Sequence, residues 1–378
     1  MVINNCRLCG NEFFPNPLLR YENMPKSAQF LPDSSSIGSD KGVSLEVCQC
    51  SGCGLAQLNS APVPYYKEVI RAVGFSEEMK QFRRNQFAGL IKKYALKGKK
   101  IIEIGCGRGE YLSILGKLGV DAYGLEYSEE ARKDCVNSGL RVSKGFVDRG
   151  DCALKEGPFE AFFILSFLEH LPDLNGALRG IYNNLVEHSV GLVEVPNFDM
   201  ILRNNLFSEF ISDHLFYFTR QTLKTALELN GFEVMQCKEI WNDYIISAVV
   251  KKKVALDIAH FYEFQAKLKA EIEAYILRFK DQGVAIWGAG HQALAVISLA
   301  GLSGKIKYVV DSATFKQGKF TPATHIRIVP PSALKEDPVG AIIVMAASYS
   351  DEVARIILKK FGRRMRVCVL RDFRLEDA

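Results

Sequence analysis

Short, nearly continuous apolar blocks recur along this chain at Ile101–Ile104, Ala161–Leu165, Gly191–Val195, Tyr244–Val250, Val284–Trp287, Ile306–Val310 and Ala341–Met345. Blocks of that length between glycines and polar turns read as strands covered on both faces, as in parallel sheets. The segments between them carry apolar residues at helical spacing. Residues 65–94 read as a helical lead-in with Met79, Phe82, Phe87, Leu90 and Ile91 on its apolar side. A helix is predicted from Thr219 to Leu229, stopped by Asn230-Gly231. Val254–Lys280 reads as one long helix whose apolar face runs from Ile258 through Phe261, Phe264, Leu268, Ile272, Tyr275 and Ile276 to Phe279. The pattern predicts an α/β chain with two successive doubly wound sheets, preceded by a small module rich in turns. The expected domains are 1–64, 65–250 and 251–378, in keeping with a length of 378 residues.

Composition narrows the class. Hydrophobic residues make up 48 % and charged residues 24 %, which excludes disorder, collagen and coiled coil as the main architecture. A formal net charge of +5 does not call for nucleic acid or an anionic membrane as partner. The longest apolar stretches fall far short of the ~20 residues that span a bilayer. Met1-Val2-Ile3-Asn4-Asn5-Cys6 lacks the basic and apolar regions of a leader. The expectation is a cytoplasmic protein, a monomer or small homo-oligomer, with reduced cysteines.

Those cysteines are unevenly placed. Cys6-Arg-Leu-Cys9-Gly10 and Cys50-Ser-Gly-Cys53-Gly54 are two C-x-x-C-G knuckles. Two thiolates three positions apart can face one ion, and four from two knuckles make a closed tetrahedral zinc site of structural type. Cys6, Cys9, Cys50 and Cys53 are the candidate metal ligands. Cys48 is expected to point away from them, on a strand Leu45–Cys50. A redox C-x-x-C is disfavoured because neither pair opens a helix after a buried strand.

The block Lys99–Leu112 reads as strand, glycine turn and helix, and the next strand ends at Glu126. The turn is Gly105-Cys106-Gly107-Arg108-Gly109, G-x-G-x-G rather than the G-x-G-x-x-G of dinucleotide sites. Glu103, just before it, would repel a pyrophosphate and suits a cationic, phosphate-free cofactor. S-adenosylmethionine is such a molecule, and Glu126 is placed to accept both ribose hydroxyls. The candidate cofactor residues are Glu103, Gly105, Gly107, Gly109, Glu126 and Ser166.

E-I-G-C-G-R-G is similar to motif I of class I S-adenosylmethionine-dependent methyltransferases. Phe159–Leu171 resembles the fourth strand of that fold and its L-E-H-L signature. The knuckles, this core, E-V-P-N-F-D at 194–199 and an acid–histidine pair before L-F-Y-F together resemble the three-domain sugar C-methyltransferases. That resemblance implies a class I methyltransferase core flanked by an N-terminal zinc-binding module and a second, C-terminal Rossmann-like domain. It implies methyl transfer to a ring carbon, commonly C3, of a nucleotide-linked 4-keto-6-deoxysugar in deoxysugar biosynthesis, through an enolate. His214 is then the candidate base and Asp213 its acidic neighbour, where glutamate is usual. Asn197 and Tyr217 are candidate substrate residues. Two departures stand out: Ile211 occupies a position where the family often has tyrosine, and residues 65–76 do not reproduce its tyrosine-containing loop, so that Tyr65 and Tyr66 are substitutes without a secure alignment. Transfer to oxygen or nitrogen of another small molecule is the alternative.

In the last third, Gly288-Ala289-Gly290-His291-Gln292-Ala293 follows a buried strand, and Asp311 ends the next one. Read alone, this is a dinucleotide fingerprint, and a nicotinamide-dependent oxidoreductase is a rival reading. The family resemblance instead assigns such a domain to the nucleotide-sugar, with Gly288, Gly290 and His291 as candidate ligands at a helix N-terminus.

Overall fold

The computed structural model describes residues 2–29, 31–68, 76–372 and 374–378. The chain divides into two compact units, Met1–Val254 and Ala255–Ala378.

The first unit opens with three antiparallel strands, β1 (Leu19–Met24), β2 (Val43–Gln49) and β3 (Ala56–Leu58). The parallel strands β4 (Lys100–Ile104), β5 (Asp121–Glu126), β6 (Val142–Lys144), β7 (Phe159–Leu165) and β8 (Leu185–Pro196) come next. A two-residue strand, β9 (Phe216–Tyr217), returns to the first sheet and pairs antiparallel with β3. The hairpin β10 (Phe232–Ile240) and β11 (Ile245–Lys252) then closes the larger sheet against β8. Its order is β10-β11-β8-β7-β4-β5-β6, so the winding reverses between β4 and β7. Such a reversal opens a crevice at the carboxyl ends of the strands. The order, with β11 the single antiparallel insertion beside β8, is that of a class I methyltransferase core.

Side chains on successive strand residues alternate between two hydrophobic layers. Ile102, Ile104, Phe162, Ile164, Val193 and Val195 face the helices Leu174–Asn183 and Arg220–Leu229. Ile101, Phe163, Leu165 and Leu192 face Glu77–Lys93 and Glu110–Lys117. The first layer continues into the cysteine module through Leu45, Val47, Leu55 and Leu58. That shared core, with the β3–β9 pairing, makes residues 1–254 one unit.

Three elements differ from expectation. The lead-in is a short 3-10 turn, Tyr66–Glu68, and a helix, Glu77–Lys93, rather than one helix from residue 65. Ser76 is extended there and its hydroxyl accepts from the Met79 N–H, a cap that starts the helix at Glu77. Residues 69–75, within the segment set against the family's tyrosine loop, lie outside the described residues. The hairpin strands β10 and β11 run longer than their apolar cores, because ladder bonds continue through polar residues. The long helix spans only His260–Leu277. Of its apolar face Ile272 and Tyr275 are buried, whereas Ile258 and Phe261 are 53 % and 60 % exposed, so packing supports only the second half.

The second unit is a six-stranded sheet: β12 (Val284–Trp287), β13 (Tyr308–Val310), β14 (Ile328–Val329), β15 (Ala341–Val344), β16 (Arg366–Arg371) and β17 (Arg374–Asp377). The order is β14-β13-β12-β15-β16-β17, parallel except for β17. This is again a Rossmann-like winding with helices on both faces. Among the described residues, no helix is long and apolar enough to cross a membrane.

Candidate active site

A cavity of about 670 Å³ opens in the first unit where the large sheet reverses its winding. One wall is the glycine turn after β4, with Gly105 and Gly107, joined by Ser166 after β7. The opposite wall carries Glu169, His170, Asp213 and His214, and the β10–β11 hairpin adds Trp241 and Asn242.

The glycine turn is built by φ. Gly105 has φ +66°, and a Cβ there would lie 2.7 Å from the Phe167 ring, so no larger residue fits. The Glu126 carboxylate, at the end of β5, accepts from the Gly107 N–H at 2.8 Å and the Ser128 N–H at 2.8 Å. A narrow cleft beside it is lined by Glu126, Tyr127, Phe146 and Phe167, with Lys67 at its edge. Glu103 is fully buried on β4 beneath the turn. Glu126 beside a glycine turn suits the ribose of S-adenosylmethionine, and Tyr127, Phe146 and Phe167 offer apolar surface next to it, whereas Glu103 lines neither the cavity nor the cleft. Ser166, held at φ +50°, lines the cavity directly. Gly109 does not. It caps the helix Glu110–Lys117 at φ +81°, where a Cβ would meet Leu140 at 2.4 Å, so its role is to let the turn pack.

His214 and Asp213 reach the cavity in different ways. The Asp213 carboxylate is buried and tied on both oxygens, accepting from the Tyr65 hydroxyl at 2.7 Å and the Ala28 N–H at 3.0 Å. It therefore does not orient the His214 ring. The ring of His214 packs edge-on against His170, centroids 4.8 Å apart. His170 bonds the Asp213 carbonyl through Nδ1 at 2.7 Å; a carbonyl only accepts, so Nδ1 carries the proton. Burial pulls His170 down to about 4 and, helped by the neighbouring His170, His214 down to about 3. Both rings are neutral at neutral pH.

Sequence reasoning left Tyr65 without a place, and the structure brings it to Asp213. It also missed the hairpin Trp241-Asn242-Asp243, whose three residues all have positive φ of 53–62°. Asn-Asp between two apolar strands was the available signal.

Two expected substrate residues lie elsewhere. Asn197 is fully buried; its Nδ2 donates to the Asp243 carbonyl at 2.7 Å, bracing the hairpin instead of facing the cavity. Tyr217 is buried among Phe198 and Phe210, and its hydroxyl accepts from the Ile211 N–H at 3.1 Å, which fixes the loop carrying Asp213 and His214. In the second unit, Gly288 takes φ +118°, and a Cβ there would meet the Met345 carbonyl oxygen at 2.5 Å, so both backbone and space call for glycine. Asp311 accepts from the Ala289 and Ala313 N–H groups and pairs with Lys316 at 3.0 Å. Gly290 and His291 begin the helix His291–Leu299.

The four knuckle cysteines converge: Cys6, Cys9, Cys50 and Cys53 bring their sulfurs within 4.8 Å of one another. Gly10 and Gly54 take positive φ, and their N–H groups return to the Cys6 and Cys50 carbonyls. The Leu8 N–H donates to the Cys6 sulfur at 3.4 Å and the Gly52 N–H to the Cys50 sulfur at 3.3 Å. Four soft donors with N–H support are compatible with a tetrahedral metal site. Cys48 stays outside the cluster.

Residues 79–237 match the family described as a methyltransferase domain, and residues 250–364 match the C-methyltransferase C-terminal domain. C-methyltransferase NovU of Streptomyces niveus is 21 % identical over 93 % of this chain and 91 % of its own length. A ubiquinone biosynthesis O-methyltransferase of Methylococcus capsulatus is 34 % identical, over 21 % of this chain and 35 % of its own. A solved S-adenosylmethionine-dependent methyltransferase of Clostridium acetobutylicum superposes with a TM-score of 0.40 at 12 % identity, covering 50 % of this chain and 96 % of that one. The chain is an S-adenosylmethionine-dependent methyltransferase whose residues 250–364 match the C-methyltransferase C-terminal domain. The fingerprint at Gly288–Ala293 lies within the residues that match the C-methyltransferase C-terminal domain.

Proposed function

We propose that this methyltransferase transfers its methyl group to carbon, at C3 of a nucleotide-linked 4-keto-6-deoxysugar, in deoxysugar biosynthesis. The observation that carries the reading is one cavity with the cofactor turn on one wall and a neutral, half-buried His214 on the other. The similarity to a named C-methyltransferase over nearly the whole chain supports it.

A carbon acceptor needs a base, a donor for the enolate oxygen and in-line approach. Bound S-adenosylmethionine supplies an electrophilic methyl group. His214 takes the proton from the carbon beside the ketone, whose C–H electron pair becomes the enolate. The glycine turn and Glu126 would hold the cofactor so that its sulfonium could give up the methyl group to that carbon and keep the bonding pair. Burial keeps His214 free to accept a proton at neutral pH but makes it a weak base, so the enolate charge must be held. Asn242 and Ser208, on the cavity wall, are the candidate donors. Among the described residues, no lysine or arginine lines the cavity, while Glu169, Glu209 and Asp213 do. A diphosphate is repelled there. In this reading the sugar ring enters the cavity and the phosphates stay outside its acidic wall. Cys6, Cys9, Cys50 and Cys53 hold a structural zinc ion.

The test is incubation with methyl-labelled S-adenosylmethionine and a panel of dTDP-, GDP-, UDP- and CDP-linked 4-keto-deoxysugars. NMR of the product should place the label on the carbon beside the ketone. Label on oxygen or nitrogen, or on none of the panel, overturns the reading.

A further inference from the structure

The segment Ile211–Tyr217 carries the candidate base, and much of its hold comes from residues that precede the methyltransferase core. The Ser212 hydroxyl donates to the Pro25 carbonyl at 2.9 Å. Asp213 takes the Ala28 N–H and the Tyr65 hydroxyl. The Leu58 N–H donates to the Leu215 carbonyl at 2.9 Å, and Phe216 and Tyr217 pair with Gln57 and Ala56. Every one of these partners belongs to residues 25–65, while the core adds the Leu215 N–H donating to the Glu169 carbonyl at 2.9 Å and the His170 Nδ1 bond to the Asp213 carbonyl. The His214 ring itself packs on His170, a neighbour that does not tie it to the module.

Gln57 links this hold to the thiolate cluster. It is a fully buried polar residue on β3, opposite Phe216 and two positions from His214 in the paired register. Its Nε2 donates to the Cys6 sulfur at 3.1 Å, and its Oε1 accepts from the Arg7 N–H at 3.1 Å. The Arg7 guanidinium in turn donates to the carbonyls of Leu58 and Ser60, each at 2.5 Å. The first knuckle is thus fastened to β3, and β3 to the strand just after His214. A buried amide can keep both hydrogen bonds only while the knuckle stays folded.

We propose that the cysteine module is the platform that positions His214, with Gln57 as the positioning residue joining the metal cluster to the catalytic loop. This rests on reading the four cysteines as a metal site and His214 as the base. Metal state is then coupled to the placement of the base, although the cluster contributes no group to the cavity. Module and base are joined by two short strands, so loosening one end is felt at the other, while the glycine turn and Glu126 lie on a separate sheet.

The experiment uses the full chain. Histidine ring signals are followed by NMR, with His214 assigned from His214→Asn, and S-adenosylhomocysteine affinity is measured by calorimetry. Removal of metal with a chelator, and separately Gln57→Leu, should each shift or broaden the His214 signal, leave the affinity within about twofold, and lower kcat at least tenfold with little change in KM. Gln57→Glu keeps the acceptor for Arg7 but sets a carboxylate against the Cys6 thiolate, and should behave like Gln57→Leu. Ser212→Ala and Tyr65→Phe cut single ties without touching the cluster, and should move the His214 signal while metal content stays the same. A metal-stripped chain that binds S-adenosylhomocysteine normally and shows an unmoved His214 signal overturns the proposal. So do tie variants that leave the signal in place. The NMR and binding readouts need no acceptor, so failure of the sugar reading, seen in the label experiment, is separable from failure of this one.

Discussion

His214 has its pKa displaced by its surroundings. Asp213 beside it is tied elsewhere, Glu169 faces His170, with the His170 Nε2 3.8 Å from its carboxylate, and burial dominates for both rings. A depressed pKa leaves the proposed base unprotonated well below its ordinary value near 6.5, so activity should fall only as pH drops through the folded value. The profile of kcat/KM is expected to stay flat from pH 8 to pH 5, with no acid limb near 6.5. His214→Asn should lose about 10²- to 10⁴-fold in turnover, with S-adenosylhomocysteine affinity unchanged; near-normal turnover would remove His214 as base. His170 makes the complementary statement about stability. Its folded pKa of about 4 lies below the unfolded one, so its contribution is fully present above pH 6.5 and is lost as pH falls toward 4. That shift corresponds to about 3 kcal/mol. Thermal melts should show wild type losing stability across that window more steeply than His170→Gln. Equal slopes would show that His170 titrates normally.

The helix Glu77–Lys93 depends on one buried ion pair. Arg83 donates to the Glu194 carboxylate on β8; both are within 1 % of full burial, and the Ser247 hydroxyl also donates to Glu194 at 2.9 Å. The pair matters to the site because this helix carries Met79 onto the cavity wall and the Glu194 carbonyl accepts from the Ser166 N–H at 2.9 Å. Removing one partner strands a buried charge, which costs about 3–5 kcal/mol. Glu194→Leu should lower the unfolding free energy in urea by that amount, and Arg83→Met with Glu194→Leu should recover much of it. A single variant as stable as the double would mean that solvent reaches Arg83. This pair was not legible in the sequence, where Glu194 reads as an interruption of an apolar strand. Elements whose signal is local were legible: the knuckles, the glycine turn, and strands such as β7 whose apolar run is unbroken. Those that depend on distant partners were not. β9 is two residues long and exists because β3 offers it an edge. Tyr65 meets Asp213 across 148 positions, and Asn197 was read as a ligand because nothing local shows that Asp243 takes its amide.

Across the whole molecule, the chain is a small sheet and a large one that share a core, followed by a unit with a core of its own. The small sheet has strands of six, seven and three residues with the two-residue β9, too little surface to hold together without a staple. Four thiolates binding one ion would supply that staple, since the free energy of binding a structural metal becomes folding free energy. The loss on chelation should therefore spread along hydrogen bonds rather than along sequence. Exchange of amide hydrogens should accelerate in β1, β2 and β3, and also in residues 211–217, far along the chain. β4, β5 and β7 should keep their protection, because each is paired on both sides within the large sheet. β12 to β16 should be unaffected, since Ile272, Ile286, Val309 and Ile343 form a core within the second unit itself. Mass spectrometry of exchange before and after chelation separates the cases. Protection lost everywhere would make the metal a global determinant of folding. Protection lost only before residue 60 would mean that β9 is held by its aromatic neighbours Phe198, Phe210 and Phe218 rather than by β3. The distribution expected from the topology is the third: a module and a catalytic loop that loosen together while the cofactor sheet stays intact.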